Sequence, residues 1–131
     1  MLMQDFLHAA GALQARLDTA FAEIELTPAR FTVLDQLAAA GAPLPLSELA
    51  AGSSCVRSNM TQLVDKLEAD GLVRRVTTPE DRRNVLAELT PQGTAKRAAG
   101  AKVLAAERGR FVAAVPERER RALERALGAL A

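Results

Sequence analysis

The stretch from Leu49 to Thr90 constrains the fold most, because it combines a helix and two short strands in a fixed order. Apolar residues recur at steps of three and four between Val56 and Asp70, which predicts a helix with one apolar face. Gly71 follows as the expected left-handed residue that ends this helix. The apolar positions are Val56, Met60, Leu63, Val64 and Leu67.

Two strand-like runs follow, at residues 72–78 and 85–89, and the second alternates apolar and polar side chains. Between them lies the charged, turn-rich segment TPEDRRN. A helix, a strand, a charged turn and a second strand, in that order, favour a winged helix. In such a fold a helix enters the major groove of DNA and a hairpin reaches the minor groove beside it.

The face of the helix opposite its apolar residues is polar, as expected from about 100° of rotation per residue. A solvated surface is one interpretation of this face, and DNA contact is the other, favoured by the adjoining hairpin. Gln62 and Asn59 suit adenine edges, and Arg57 suits a guanine or a phosphate. Asp65 is expected to support a neighbouring cation, and the hydroxyl groups to hold phosphates. The candidate DNA-contacting residues are Arg57, Ser58, Asn59, Thr61, Gln62 and Lys66.

The segments RSNMTQLVDKLEADGLVRR and TPEDRRNVLAELTPQG resemble the MarR family of bacterial transcription regulators. The resemblance extends over nearly the whole chain and is strongest from Leu49 to Gly93. It implies a dimeric winged-helix repressor or activator. Many members of this family are released from DNA by small aromatic ligands or by thiol oxidation.

By this resemblance, Asp81 and Arg83 match the Asp-x-Arg element of the family's wing, in which the acid orients an arginine. We expect Arg83 to enter the minor groove and Arg82 to contact phosphate. The alternative is a charged turn that only keeps the hairpin soluble. Arg74 and Arg75 are expected to support the wing or to contact phosphates.

The segment before the recognition helix contains signals for a helix, a connector and a second, shorter helix. Thr27 and the proline after it predict a helix start, and Gly41 predicts its end. Residues 42–46 contain two prolines and predict a connector with a short edge strand. Ser47 is then expected to cap a brief helix at Glu48–Ala51.

The ends of the chain read as helices whose apolar stripes need a partner. The first predicted terminal helix covers residues 3–24. The second starts at Thr90 and its proline and runs to about Ala114, and the third starts at Pro116 and ends near Leu130. A second copy of the chain would bury their apolar stripes. We therefore expect a mainly α protein with a small β-hairpin. Residues 1–131 should form a single domain, with a DNA-binding winged helix-turn-helix lobe at 27–90. Helical dimerisation regions should lie at 1–26 and 91–131.

The turn before the recognition helix departs from the family's Gly–apolar–Ser pattern, because it reads Ser54, Cys55 and Val56. Either Ser53 or Ser54 could cap the helix in place of the usual serine. A thiol at a helix start near Arg57 could have a lowered pKa and sense oxidants. A buried structural cysteine is the favoured alternative.

A small aromatic or phenolic effector, which the resemblance implies, would lie between the dimerisation helices and the DNA-binding lobe. Phe6, Phe21, Phe31 and Phe111 are candidates to line its pocket, although phenylalanine is more often plain core. His8 lies in the first helix, where either a pocket or an interface would place it, and a surface histidine is the favoured alternative.

Several classes of protein find little support in the sequence. No apolar run approaches the length of a membrane span, and no basic segment marks a signal peptide. One cysteine fits a reducing cytoplasm, and one cysteine with one histidine supplies too few ligands for a protein-only zinc site, so we expect no metal sensing. No catalytic motif and no cofactor-binding loop is present, so we expect no enzyme.

These observations predict a cytoplasmic, sequence-specific DNA-binding regulator, expected to be a repressor, that binds a palindromic operator as a homodimer. The net charge of +1 gives no support for DNA binding. That prediction depends on the sequence motif and on the positions of the polar and charged residues within it. Two alternatives stay open. One is a winged-helix module for protein partners, and the other is a thiol-based redox sensor that acts through Cys55.

Overall fold

A computed structural model describes residues 1–53 and 57–131 of the chain, without the side chain of Arg57. Over these residues the chain is mainly helical, with a small antiparallel sheet, as the sequence predicted. The elements in chain order are α1 (Leu2–Ala22), α2 (Pro28–Ala40), β1 (Leu44–Pro45), α3 (Leu46–Gly52), α4 (Arg57–Ala69), β2 (Val73–Thr77), β3 (Val85–Leu89), α5 (Pro91–Ala114) and α6 (Glu117–Leu130).

The three strands pair in the order β1–β3–β2. In the hairpin of β2 and β3, Val73 lies opposite Leu89 and Thr77 lies opposite Val85. The expected edge strand before α3 is present, with Leu44 opposite Ala87. Because β3 is the middle strand of the sheet, its residue Ala87 has a neighbour on both sides and is fully buried.

The core lies between α2, α3, α4 and the sheet. Met60, Val64 and Leu67 of α4 are fully buried in the same cluster as Leu34 of α2 and Leu49 of α3. Each such side chain contributes roughly 1.5–3 kcal/mol through removal from water. The apolar face predicted for α4 is confirmed, with Leu63 partly buried beside it, whereas Val56 lies outside the described residues.

Local capping chemistry fixes both Thr-Pro helix starts. The Thr27 hydroxyl accepts a hydrogen bond from the Arg30 amide at 3.2 Å, and the Thr90 hydroxyl accepts one from the Gly93 amide at 3.0 Å. Gly41 ends α2 in the left-handed conformation, with φ of 63°. These caps satisfy backbone groups that the helix itself leaves without partners.

The prediction that Ser47 caps a helix at Glu48–Ala51 is wrong. The helix begins at Leu46, with Pro45 as its N-cap residue in an extended conformation. Pro45 is held in the sheet opposite Leu86, and Leu46 is buried in the core. This pairing fixes where the strand ends, so the helix starts before the serine.

The first helix also ends earlier than predicted, at Ala22 rather than near residue 24. Glu25 then adopts a left-handed φ of 58°, which reverses the chain direction. The reversal brings Leu26 into the core, where it is 3% exposed. Ile24 still packs against the core from the turn.

The terminal helices leave much apolar surface uncovered. No residue of α6 is buried, and the first twelve residues of the chain are all exposed. No helix in the described residues is long and apolar enough to cross a membrane. Among the residues that the structure describes, the large apolar side chains that remain exposed are Met1, Leu2, Met3, Phe6, Leu7, Phe111, Val112, Leu127 and Leu130.

Candidate nucleic-acid interface

The recognition helix, α4, passes directly into the first strand of the hairpin through a Schellman turn. Gly71, with φ of 76°, donates from its amide to the Glu68 carbonyl at 3.0 Å, and the Leu72 amide donates to the Leu67 carbonyl at 2.9 Å. Only glycine adopts this conformation without strain. The turn therefore sets the hairpin beside the helix with no intervening loop.

The outward face of α4 is exposed along its length, opposite the buried face that holds it to the core. Lys66 forms an ion pair of 3.2 Å with Asp70, four residues later and just beyond the end of the helix. Amide and hydroxyl groups on this face offer both donors and acceptors. The predicted DNA-contacting residues on this face whose side chains are described are all exposed: Ser58, Asn59, Thr61, Gln62 and Lys66. The side chain of Arg57, which the sequence also predicts to contact DNA, is not among those that the structure describes.

The wing, defined here as β2, β3 and the turn at residues 78–84, ends in an ordered charged tip. The Asp81 carboxylate accepts a hydrogen bond from the Arg83 amide at 3.0 Å, and the Thr78 hydroxyl accepts one from the Asp81 amide at 3.2 Å. Asp81 thus orients Arg83 through the backbone, as in an Asx-turn. Asp81, Arg82 and Arg83 are exposed, and neither arginine forms an ion pair with another described residue.

Arg75 of β2 joins the wing to the recognition helix. Its guanidinium donates to Asp65 and, at 2.7 Å, to Glu68, while its amide donates to Glu68 at 3.0 Å. Burial disfavours the charge of Arg75, but its hydrogen bonds to the Asp65 and Glu68 carboxylates outweigh this effect, so the pKa of Arg75 is raised. The cation expected beside Asp65 is therefore Arg75.

Glu68 is a contributor that the sequence reading missed. It lies three residues after Asp65 and so shares its face of the helix, which is the signal that could have identified it. Arg74 is held separately, by a 2.6 Å ion pair with Glu88 directly opposite on β3. Both carboxylates of α4 nearest the wing are thus matched by a cation.

The structure does not gather the four phenylalanines into one pocket. Phe21 and Phe31 are core residues with ring centroids 5.2 Å apart, because the turn after α1 folds these two helices together. Phe6 and Phe111 instead line a groove of about 490 Å³ at the far end of α1 and α5. His8 is exposed and does not line it.

The other residues predicted to form sites are not brought together in the part of the chain that the structure describes. No three His, Cys, Asp or Glu side chains gather as a metal site within residues 1–53 and 57–131. Cys55 and Ser54 lie outside the described residues. The Ser53 hydroxyl donates to the Leu49 carbonyl at the end of α3, so it serves that helix.

A buried apolar helix face, an exposed polar face and an adjacent hairpin with two exposed arginines at its tip define a winged helix-turn-helix module. The profile of the MarR family matches residues 26–85. The transcriptional repressor CouR, solved with a 23-mer DNA duplex, is 30% identical, with a TM-score of 0.84 over 99% of this chain and 92% of that chain. The chain therefore belongs to the MarR family.

Two curated relatives match over shorter stretches, and a second structure matches over most of the chain. The transcriptional regulator YkoM of Bacillus subtilis is 38% identical over 66 residues, which are 50% of this chain and 42% of that protein. The multiple antibiotic resistance protein MarR of Salmonella typhimurium is 33% identical over 79 residues, or 60% of this chain and 54% of that protein. The matched part thus spans about half the length of these curated relatives. CouR from Rhodococcus jostii bound to p-coumaroyl-CoA is 25% identical, with a TM-score of 0.76 over 94% of this chain and 86% of that chain.

Proposed function

We propose that this protein is a cytoplasmic, sequence-specific transcriptional repressor that binds a palindromic operator as a homodimer. The observation that carries the proposal is the exposed polar face of α4 beside the two exposed arginines at the tip of the wing. Met60, Val64 and Leu67 hold the apolar face of α4 in the core, so its polar face is the one available to a major groove. Residues 27–90 would form the DNA-binding lobe.

On this proposal the two elements read different grooves. Asn59 and Gln62 would contact adenine edges in the major groove, since an amide can both donate to and accept from adenine. Arg83 would enter the minor groove, and Arg82 would contact phosphate. Ser58, Thr61 and Lys66 would fix the helix on the backbone, as would Arg57.

The ion pairs of Arg75 support this assignment. Asp65 and Glu68 would otherwise present unmatched negative charge next to the DNA phosphates. Their pairing with Arg75 removes that repulsion and also holds the wing at a fixed angle to α4. A fixed angle is what simultaneous contact with two adjacent grooves requires.

Dimerisation through 1–26 and 91–131 would cover the apolar groove that Phe6 and Phe111 line with Leu13, Leu123 and Leu127. We expect a second copy of the chain to cover this groove, because the exposed apolar residues of α1, α5 and α6 lie outside the proposed DNA-binding lobe. The variant Phe111→Asp should give a folded monomer in sedimentation velocity. A variant that remains dimeric would contradict this assignment.

A small aromatic or phenolic effector is the proposed signal for release from DNA, by analogy with CouR and its ligand p-coumaroyl-CoA. Binding to one of two dimer arrangements would change the spacing of the recognition helices. Titrating p-coumaroyl-CoA and p-coumarate into a preformed protein–DNA complex tests this part. Loss of the complex at low ligand concentration supports it, and an unchanged complex for both ligands argues against this ligand class.

The DNA-binding proposal is tested by fluorescence polarisation on the DNA upstream of the protein's own gene, at fixed salt and with random competitor. Arg83→Ala should weaken binding about tenfold, in the range expected when a groove contact is lost. Arg108→Ala removes the same charge from an exposed position on α5 and should leave the affinity within about twofold. Equal affinity for upstream and random DNA would count against autoregulation.

A further inference from the structure

The carboxylate of Glu107, in the middle of α5, is buried but incompletely hydrogen-bonded. The side chain is 7% exposed. Its Oε1 accepts a hydrogen bond from Arg110 at 3.0 Å, whereas its Oε2 accepts none from any described residue. The Arg16 guanidinium approaches Oε2 only to 3.5 Å, which is beyond a normal hydrogen bond. A buried carboxylate oxygen in this state is strongly stabilised by any donor that reaches it.

Glu107 lines a cavity of about 460 Å³ between α1 and α5. Its polar lining comes from both helices and carries two positive and two negative charges. Small apolar side chains, Ala15, Ala20 and Ala106 among them, form the rest of the wall and leave room for a ligand. The polar lining residues are Arg16, Thr19, Glu23, Glu107 and Arg110.

The charge pattern selects the chemistry of the ligand. A simple anion would meet Glu23 and Glu107, and a simple cation would meet Arg16 and Arg110, so neither gains from the whole site. A molecule that carries both charges a few ångströms apart matches both pairs. The Arg16 and Arg110 guanidinium groups both form ion pairs with Glu107, and their side chains are 55% and 66% exposed, so either can turn toward a ligand carboxylate when a ligand ammonium takes its place at Glu107.

We propose that this cavity binds a small zwitterion of the α-amino-acid class. The ligand ammonium would donate to Oε2 of Glu107, and the ligand carboxylate would accept from Arg110 and Arg16, a pairing that favours charge-assisted hydrogen bonds. The volume lies in the usual range of small-molecule sites. Arg16 also lines the groove proposed for the dimer contact, so occupancy would alter that contact; this last step rests on the proposed function.

The test is NMR titration of the full chain, without DNA, with each common L-amino acid. We expect at least one to shift amide signals within residues 15–23 and 103–110. Ethylamine and propionate, which each carry one of the two charges, should cause no comparable shift. The absence of DNA separates this test from the proposed function, because binding here would succeed or fail whatever the protein does on an operator.

Two variants decide whether the lining residues bind the ligand. Glu107→Gln keeps the shape of the side chain and should weaken binding about tenfold or more, as should Arg110→Gln on the cavity rim. Because Arg110 is exposed, its variant keeps the test valid if Glu107→Gln fails to fold. Arg108→Gln, one position from Glu107 but outside the cavity lining, should bind normally. The proposal is overturned if no amino acid shifts these signals, if the single-charge compounds bind equally well, or if Arg110→Gln binds as tightly as the wild type.

Discussion

Replacing Gly93 with alanine should destabilise the protein by about 1–4 kcal/mol, because Gly93 lies where α5 meets the turn after the recognition helix. A Cβ atom at this position would lie 1.9 Å from the Leu72 carbonyl oxygen, 2.9 Å from its carbon and 3.1 Å from Cδ2 of Leu89. The first two are backbone atoms, which cannot rotate away as a flexible side chain can.

The magnitude follows from what must move. Non-bonded atoms settle at roughly 3.5 Å, so the start of α5 or the Leu72 carbonyl must shift by over an ångström. That carbonyl also accepts a hydrogen bond from the Thr90 amide at 3.1 Å, and Thr90 donates to the Gly71 carbonyl at 2.6 Å. Losing one such bond costs about 1 kcal/mol and overpacking costs about 1–3 kcal/mol. The better helix propensity of alanine returns up to about 1 kcal/mol.

Equilibrium urea unfolding measures the effect, with protein concentration held constant because dimerisation would contribute to stability. Gly109→Ala is the matched control, since it lies in the same helix with no atom within 4 Å of the added Cβ. It should gain about 0.5–1 kcal/mol. If Gly93→Ala proved as stable as Gly109→Ala, the close contact between α5 and the turn would be refuted.

Three further substitutions test other joints of the lobe. Thr27→Ala should cost about 1 kcal/mol in urea unfolding, since it removes the cap on the Arg30 amide, and Thr27→Ser should restore most of it. Gly71→Ala should cost about 1–2 kcal/mol in the same assay, because its φ of 76° is strained for a residue with a Cβ; an unchanged midpoint would argue against the Schellman turn. Arg75→Met should weaken DNA binding in fluorescence polarisation more than Arg74→Met, since it releases two carboxylates rather than one. Equal losses would show that matching the acids of α4 is unimportant.

Local chemistry made much of the fold predictable. The spacing of Met60, Val64 and Leu67 identified the buried face of the recognition helix, because helical periodicity alone decides which side chains share a face. The Thr-Pro pairs at Thr27 and Thr90 marked their helix starts, since both the cap and the fixed proline φ act within one turn.

The errors arose where distant parts of the chain decide the outcome. Ser47 looked like a cap, but the pairing of Pro45 with Leu86 on β3 set the helix start, and that register cannot be read from the local sequence. Likewise, Phe21 and Phe31 became core residues through the packing of α1 on α2. A phenylalanine in a core and one in a pocket have the same local sequence signal.

The individual residues of the candidate interface were predictable from the sequence, but the contacts between α4 and β2 were not. Helical spacing identified Gln62 and Asn59 as outward residues, and both are exposed. The ion pair between Arg75 and Glu68 crosses the junction of a helix and a strand, so it depends on the angle between them. That angle is set by the turn at Gly71 and by the core beneath it.

The most direct test of the central claim is selection of binding sites from a random duplex library with the wild-type protein. A dimer that reads two major grooves predicts enrichment of an inverted repeat whose half-sites lie about one helical turn apart. The variant Gln62→Ala should relax the preference within each half-site, without changing the spacing. Enrichment of no sequence, or of a single unrepeated site, would contradict the account of a homodimeric, sequence-specific regulator.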